Sequence, residues 1–369
     1  MRHRFIAVLA VVAIVMMSSA TAAHAADSTT PSVVTNGSTT DIAVQGPNNE
    51  LILYWAFNGN STWTPEPVAG PGTTYSAPAM ILADNTVVIS VMGPDNDLVV
   101  YWAPIGDFGS GDWRTETVAG VNTTYSAPSL ILNGNTIAIS AMGLDNSLDF
   151  YWSPIGTNGP GAWTPEYPSG VDTAYSAPSM ILDGSTIAIS VAGPKETIWL
   201  YWAVTVTGGW NSTVIAGVDS ALSAPCMILN GNSDTIDISV LGEFSEVAFY
   251  SASADISSDN GAWNSDNVTD PETAFSAPAM VLNGYGVDIS VMGPDNSLDI
   301  YWSPDEPSTW APQTVATTDT AFSAPAMVVS GNGVDVTAAG PDGSLYDYWA
   351  QNGTDDWNFA AVALSGSVG

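Results

Sequence analysis

The sequence predicts an all-β fold, a seven-bladed β-propeller with four antiparallel strands and about 49 residues per blade. Three observations lead there. Tyr-Trp pairs recur at Tyr54-Trp55, Tyr101-Trp102, Tyr151-Trp152, Tyr201-Trp202, Tyr301-Trp302 and Tyr348-Trp349, with Tyr250-Ser251 in the remaining slot. A Ser-Ala-Pro block begins at Ser76, Ser126, Ser176, Ser223, Ser276 and Ser323, and Thr29-Thr-Pro holds the same place at the start of the array. No segment carries helical periodicity of useful length. A unit this short cannot bury a core alone, so the copies must pack on one another. They tile as 29–75, 76–125, 126–175, 176–222, 223–275, 276–322 and 323–369, making 26–369 a single propeller domain with nothing left over for a second.

Within a unit, each strand has its own signature. The Ser-Ala-Pro block opens the first strand. Ile137-Ala-Ile-Ser-Ala-Met142 is short, β-branched and apolar on both faces, as a strand covered on both sides requires. Its Ala and Ser positions suit close approach at a crowded centre. Gly293-Pro-Asp-Asn-Ser297 has hairpin chemistry, because Pro fixes φ while Asp and Asn accept turn geometry. Leu298, Ile300 and Trp302 then share one face of the third strand, with Asp299 and Tyr301 on the other. Segments such as Thr115-Glu-Thr-Val-Ala119 supply a fourth, more polar strand. Four strands in such a unit make a propeller blade. The repeat phase favours whole blades in sequence over a blade mixing both ends of the chain. Unit 223–275 departs most, with Ser251 in place of Trp, Gly242-Glu-Phe-Ser-Glu246 at the turn and a longer insert between Asp255 and Trp263. It reads either as a drifted blade kept for closure or as a specialised site.

Residues 1–25 have the form of a secretory signal: Arg2 and Arg4, an apolar run from Phe5 to Met17, then Ala23-His24-Ala25. The run is short for a membrane span, so an exported protein cut after Ala25, without membrane insertion, is expected. Cleavage removes both histidines and leaves Arg114 and Lys195 against 37 carboxylates, a formal charge of −35. That surface repels nucleic-acid phosphates and anionic lipids and disfavours acidic sugars, leaving neutral ligands. Without histidine, Ser-His-Asp and Cys-His nucleophiles and histidine zinc sites drop out. The lone Cys226 replaces the Ala79 of another unit and reads as a small buried thiol, with no disulfide available. Glycosidase chemistry needs only two carboxylates. Yet Asp95, Asp145 and Asp295 sit in the recurring turn, and Glu243 with Glu246 is the nearest thing to an odd pair. No Asp-x-Asp-x-Asp-Gly loop is present, so no cofactor is expected, calcium being the minor alternative.

What the units do repeat is tryptophan. Six of the 14 lie in the Tyr-Trp pairs, seven are a lone Trp per unit (63, 113, 163, 210, 263, 310 and 357), and Trp199 is extra. An indole face stacks on the C–H patch of a sugar ring while small polar groups fix its hydroxyls. A fixed Trp per blade also makes a good core wedge. Two classes exceed what packing needs, so one should be partly exposed. The Tyr-Trp indoles, at a loop mouth, are the expected binders: Trp55, Trp102, Trp152, Trp202, Trp302 and Trp349. The aromatics before Ser-Ala-Pro, Tyr75, Tyr125 and Tyr175, are the expected facing wall.

The Ser-Ala-Pro start, the Ile-x-Ile-Ser-Val-Met-Gly strand, the Gly-Pro-Asp-Asn-Ser-Leu turn and the Tyr-Trp…Trp finish together resemble the repeats of secreted β-propeller lectins. The likeness is to the seven-bladed fucose-binding lectins of the Photorhabdus type and related tachylectin-like propellers. It implies several sugar sites per ring, in clefts between consecutive blades. The expectation is therefore a secreted, multivalent, non-enzymatic binder of neutral glycans such as fucosides. A glycoside hydrolase or lyase on the same scaffold, or a protein-binding propeller, are the alternatives.

Overall fold

Each Ser-Ala-Pro serine ties the start of its blade to the end of that blade's second strand. The Ser76 hydroxyl accepts the Met92 backbone N–H at 3.0 Å, and Ser126, Ser176, Ser223, Ser276 and Ser323 do the same at 2.9–3.0 Å. The structure is a computed structural model that describes residues 29–58, 61–83, 86–104, 113–156, 159–206, 209–255, 262–284, 286–304, 309–352 and 354–369. The signal-like residues 1–25 and most of the insert after Asp255 lie outside the described residues.

Seven antiparallel sheets follow in sequence, each built from four consecutive strands. Blade 1 comprises Ser32–Thr35, Thr39–Gln45, Leu51–Phe57 and Thr64–Ala69. Blade 3 adds the short strand Gly159–Pro160 beyond its third strand. The first strands of neighbouring blades face one another around the centre, and Ser32–Thr35 of blade 1 meets Ala326–Ser330 of blade 7. The ring is therefore closed, and among the described residues no sheet mixes strands from the two ends of the chain. First strands line the centre. The apolar second strand, expected there from its small residues, lies one position outward, with all of Thr39–Gln45 buried.

The turn chemistry also holds. Asp295 and Asn296 adopt φ of 56° in the left-handed region, which short polar side chains tolerate. Their carbonyls accept the N–H groups of Asp319, Thr320 and Ala321 at 2.9 Å, so the recurring acidic turn organises the link to the next blade. That link ends on the following second strand: Tyr75 donates its N–H to Met92 and Tyr125 to Met142, both at 2.8 Å. At the ring junction Gly369 takes this role, donating to Gln45 of blade 1 at 3.2 Å. Val368 beside it is buried in the junction core.

The core is a series of blade-to-blade interfaces. Leu298 and Ile300, on one face as expected, pack on Val334, Val336, Ala338 and Tyr348 of blade 7. Among the described residues no helix is long and apolar enough to cross a membrane. Cys226 sits against the interface of blades 5 and 6, and burial pushes its thiol up to about 11, away from nucleophilic chemistry.

Candidate functional site between the blades

The strand register decides what lies under each Tyr-Trp indole. Trp55, Trp302 and Trp349 stand directly opposite Asp41, Asp288 and Asp335 on the neighbouring second strand. In blades 2, 3 and 4 the residue opposite Trp102, Trp152 and Trp202 is instead Val88, Ala138 or Ala188. Blade 5 pairs Ser251 with Asp237. Directly opposed side chains share a face, with Cβ atoms about 4.5–5.5 Å apart, so each indole rests on an acid or on an aliphatic group. That face meets the next blade, whose lone Trp completes the cleft.

Two acid-floored clefts open into cavities. Between blades 6 and 7, Asp288, Trp302, Gln313 and Trp357 line a space of about 340 Å³. Between blades 7 and 1, Asp335, Asp347, Trp349, Trp63 and Phe57 line one of about 490 Å³. Trp302 is 42% exposed and Phe57 60%, so aromatic faces are on offer at both mouths. The carboxyls are buried. Asn283 donates to one oxygen of Asp288 at 2.6 Å, and burial, partly opposed by that amide, moves the acid up to about 6. Burial does the same for Asp335, to about 6, against the opposing Thr40 hydroxyl of blade 1. Asp347 is pushed well above the ordinary carboxylate range by burial and by the nearby Asp335. Near neutral pH Asp288 and Asp335 can accept a hydrogen bond, and below about pH 6 they can also donate one. The Gln313 amide nitrogen meets no protein acceptor, nor do the indole N–H groups of Trp63 and Trp357, a feature they share with Trp163, Trp210 and Trp310 at other interfaces.

Among the described residues, the same positions elsewhere are more filled. Trp102 is 9% exposed in an apolar cluster with Val88 and Ile155 of blade 3, and the backbone of Gly159 lies against its indole. Trp152 packs with Ala138 and Val206, and Trp202 with Ala188 and Ala254. In blade 5 Asp237 is occupied by Asn230, Thr235 and Ser251 at 2.8–2.9 Å. Between blades 1 and 2 the Trp113 N–H donates to Glu66 at 2.8 Å, and Asp41 is fully buried. The six Tyr-Trp indoles thus divide: Trp102 is buried, Trp302 and Trp349 line cavities, and the rest are half-buried.

The structure does not bring Tyr75, Tyr125 and Tyr175 to these clefts. Their backbones bond the last residue of a second strand, whereas the Tyr-Trp indoles lie beside its start. Four strand residues separate the two levels, about 13 Å, so the facing-wall expectation fails because the two aromatic classes occupy opposite ends of the sheets. The facing wall is the lone Trp of the next blade. Among the described residues no three His, Cys, Asp or Glu side chains converge as a metal site.

No protein-family model and no curated protein sequence matches this chain. Solved structures do. The BP39L lectin from Burkholderia pseudomallei superposes with a TM-score of 0.79 at 18% identity, covering 91% of this chain and 98% of that one. That likeness establishes the propeller fold. Aleuria aurantia lectin, a six-bladed propeller seen with alpha-methyl-L-fucoside, gives 0.56 at 14% identity, over 93% of this chain and 98% of its own. AofleA from Arthrobotrys oligospora gives 0.55 at 13%, over 80% and 88%.

Proposed function

We propose that the protein is a lectin, a secreted and multivalent binder of neutral sugars such as fucose, without enzymatic activity. One observation carries the reading: a buried carboxyl, Asp288, lies opposite the exposed indole of Trp302 in a cavity closed by Trp357. An apolar stacking surface above a hydrogen-bonding floor is the chemistry that holds a sugar ring. The formal charge of −33 turns away acidic glycans and favours neutral ones. The fold likeness to lectins supports the reading by analogy. Neutral glycans or glycoconjugates are the partners, and no cofactor is assigned. A glycan array with residues 26–369 tests it: binding to neutral glycans, competed by free monosaccharide, is expected, and an empty array at high protein density refutes it.

The cleft between blades 7 and 1 favours one second reading, glycoside hydrolysis. It alone among the described cavities holds two buried carboxyls, Asp335 and Asp347. Such a pair could serve as acid and base around a glycosidic bond. Release of reducing sugar from neutral oligosaccharides, lost on Asp335→Asn, would replace the binding-only function.

A further inference from the structure

We propose that this chain's sugar sites are the two clefts flanking blade 7, because at the other five interfaces the described side chains fill the corresponding position. The proposal rests on the lectin reading and narrows it from a ring of sites to an asymmetric pair.

Both cavities reach Ala350 and Gln351 at the end of blade 7's third strand, so the sites stand back to back across one sheet. Each has an acid under a Tyr-Trp indole and a Trp from the next blade. Each also leaves room where the fourth strand crosses the cleft. Glu66 fills that position between blades 1 and 2, where it holds the Trp113 N–H. Its counterparts by register are Gln313, without a protein partner for its amide nitrogen, and the small Ala360. The next blade contributes polar Gln351 and Asn352 to the first cavity and Phe57 with Asn58 to the second. In the three interfaces from blade 2 to blade 5, Ile155, Val206 and Ala254 join the apolar cluster around the indole instead. The interface of blades 5 and 6 has no Tyr-Trp indole, and its acid is satisfied internally. The two sites are not copies of each other. The second acid of the cleft between blades 7 and 1, Asp347, is buried, whereas that of the other cavity, Asp355, is exposed. They should bind with separable affinities.

Native mass spectrometry and calorimetric titration with methyl α-fucoside, N-acetylglucosamine and methyl α-galactoside, run separately, test the count. The expected maximum is two sugars per chain. Asp288→Asn and Asp335→Asn should each weaken one site at least tenfold, and the double variant should bind none. Trp302→Ala and Trp349→Ala provide an independent pair with the same expectation, while Trp152→Ala should keep both sites. Three or more bound sugars, or two retained in the double variants, would overturn the assignment and leave the lectin reading standing. Failure of all three sugars together with an empty glycan array overturns both.

Discussion

Replacing Asp41 by Asn isolates the cost of an ionised carboxyl inside an interface. The side chain is fully buried opposite Trp55, and burial, reinforced by Glu66, pushes its acid to about 7 from 3.8. In the unfolded chain the group ionises near its ordinary value, so between pH 4 and 7 the folded state holds the extra proton. Stability from this group is therefore fully present below about pH 4 and lost as pH rises through 7. A shift of about three units corresponds to roughly 4 kcal/mol, since each unit is about 1.4 kcal/mol. With about 2.1 cal/mol/K of unfolding entropy per residue, that is a Tm difference of roughly 6 °C for a propeller of this size. Thermal melts of both proteins from pH 4 to 8.5 provide the assay. The Asn variant should melt close to wild type at pH 4 and roughly 6 °C above it at pH 8.5. A difference independent of pH would refute the reasoning, because it would show that Asp41 is not forced to ionise in a buried place.

Three further outcomes follow from the packing. Trp102→Ala should cost about 3–5 kcal/mol in unfolding experiments, the range for a buried large-to-small change, while the half-exposed Trp302→Ala should cost much less and lose sugar binding instead. Equal costs would show that the two indoles are not different in kind. Gly159 has φ of +104°, and a Cβ there would clash with the Trp102 ring, so Gly159→Ala should destabilise by about 2 kcal/mol or more. An unchanged Tm would remove that backbone from the indole face. Deleting residues 366–369 discards four backbone hydrogen bonds and the buried Val368, on the order of 4 kcal/mol together. A melt that does not move would locate ring closure elsewhere.

Blade number, strand order and turn positions were legible because each rests on local chemistry repeated many times. The Ser76 hydroxyl on the Met92 amide is one bond recurring in six blades, and repetition makes such a bond visible as a motif. The cleft was half legible. Trp302 and Trp349, chosen for their position before a loop, line cavities, whereas Trp102, which looks identical in sequence, is buried in an apolar cluster, and Trp152 and Trp202 are half-buried against apolar clusters. What separates them is the cross-strand partner, an Asp or an aliphatic residue about 14 positions earlier. Its relevance depends on register. A signal was present all the same: Ile-Asp-Ile-Ser at 236–239 and Val-Asp-Ile-Ser at 287–290 place a carboxylate in a strand apolar on both faces, a costly choice that asks for a reason. Tyr75 and its kin were misplaced for a different cause. Being next to a blade boundary in sequence does not say which end of the sheet is meant.

The junction of the ring has a consequence for how the protein comes into being. Thr40 and Trp63 belong to the first blade made on the ribosome, and Asp335 and Trp349 to the seventh, yet they line one cavity. That pocket cannot exist on a growing or shortened chain. It is assembled only when the first and last sheets meet, through Ser32–Thr35 and Ala326–Ser330 and the Gly369–Gln45 bond. The other cavity, between blades 6 and 7, needs only neighbours in sequence and can form without closure. One molecule thus carries a pocket that reports local folding and another that reports completion of the circle, and a sugar that prefers the second would select for rings that have shut.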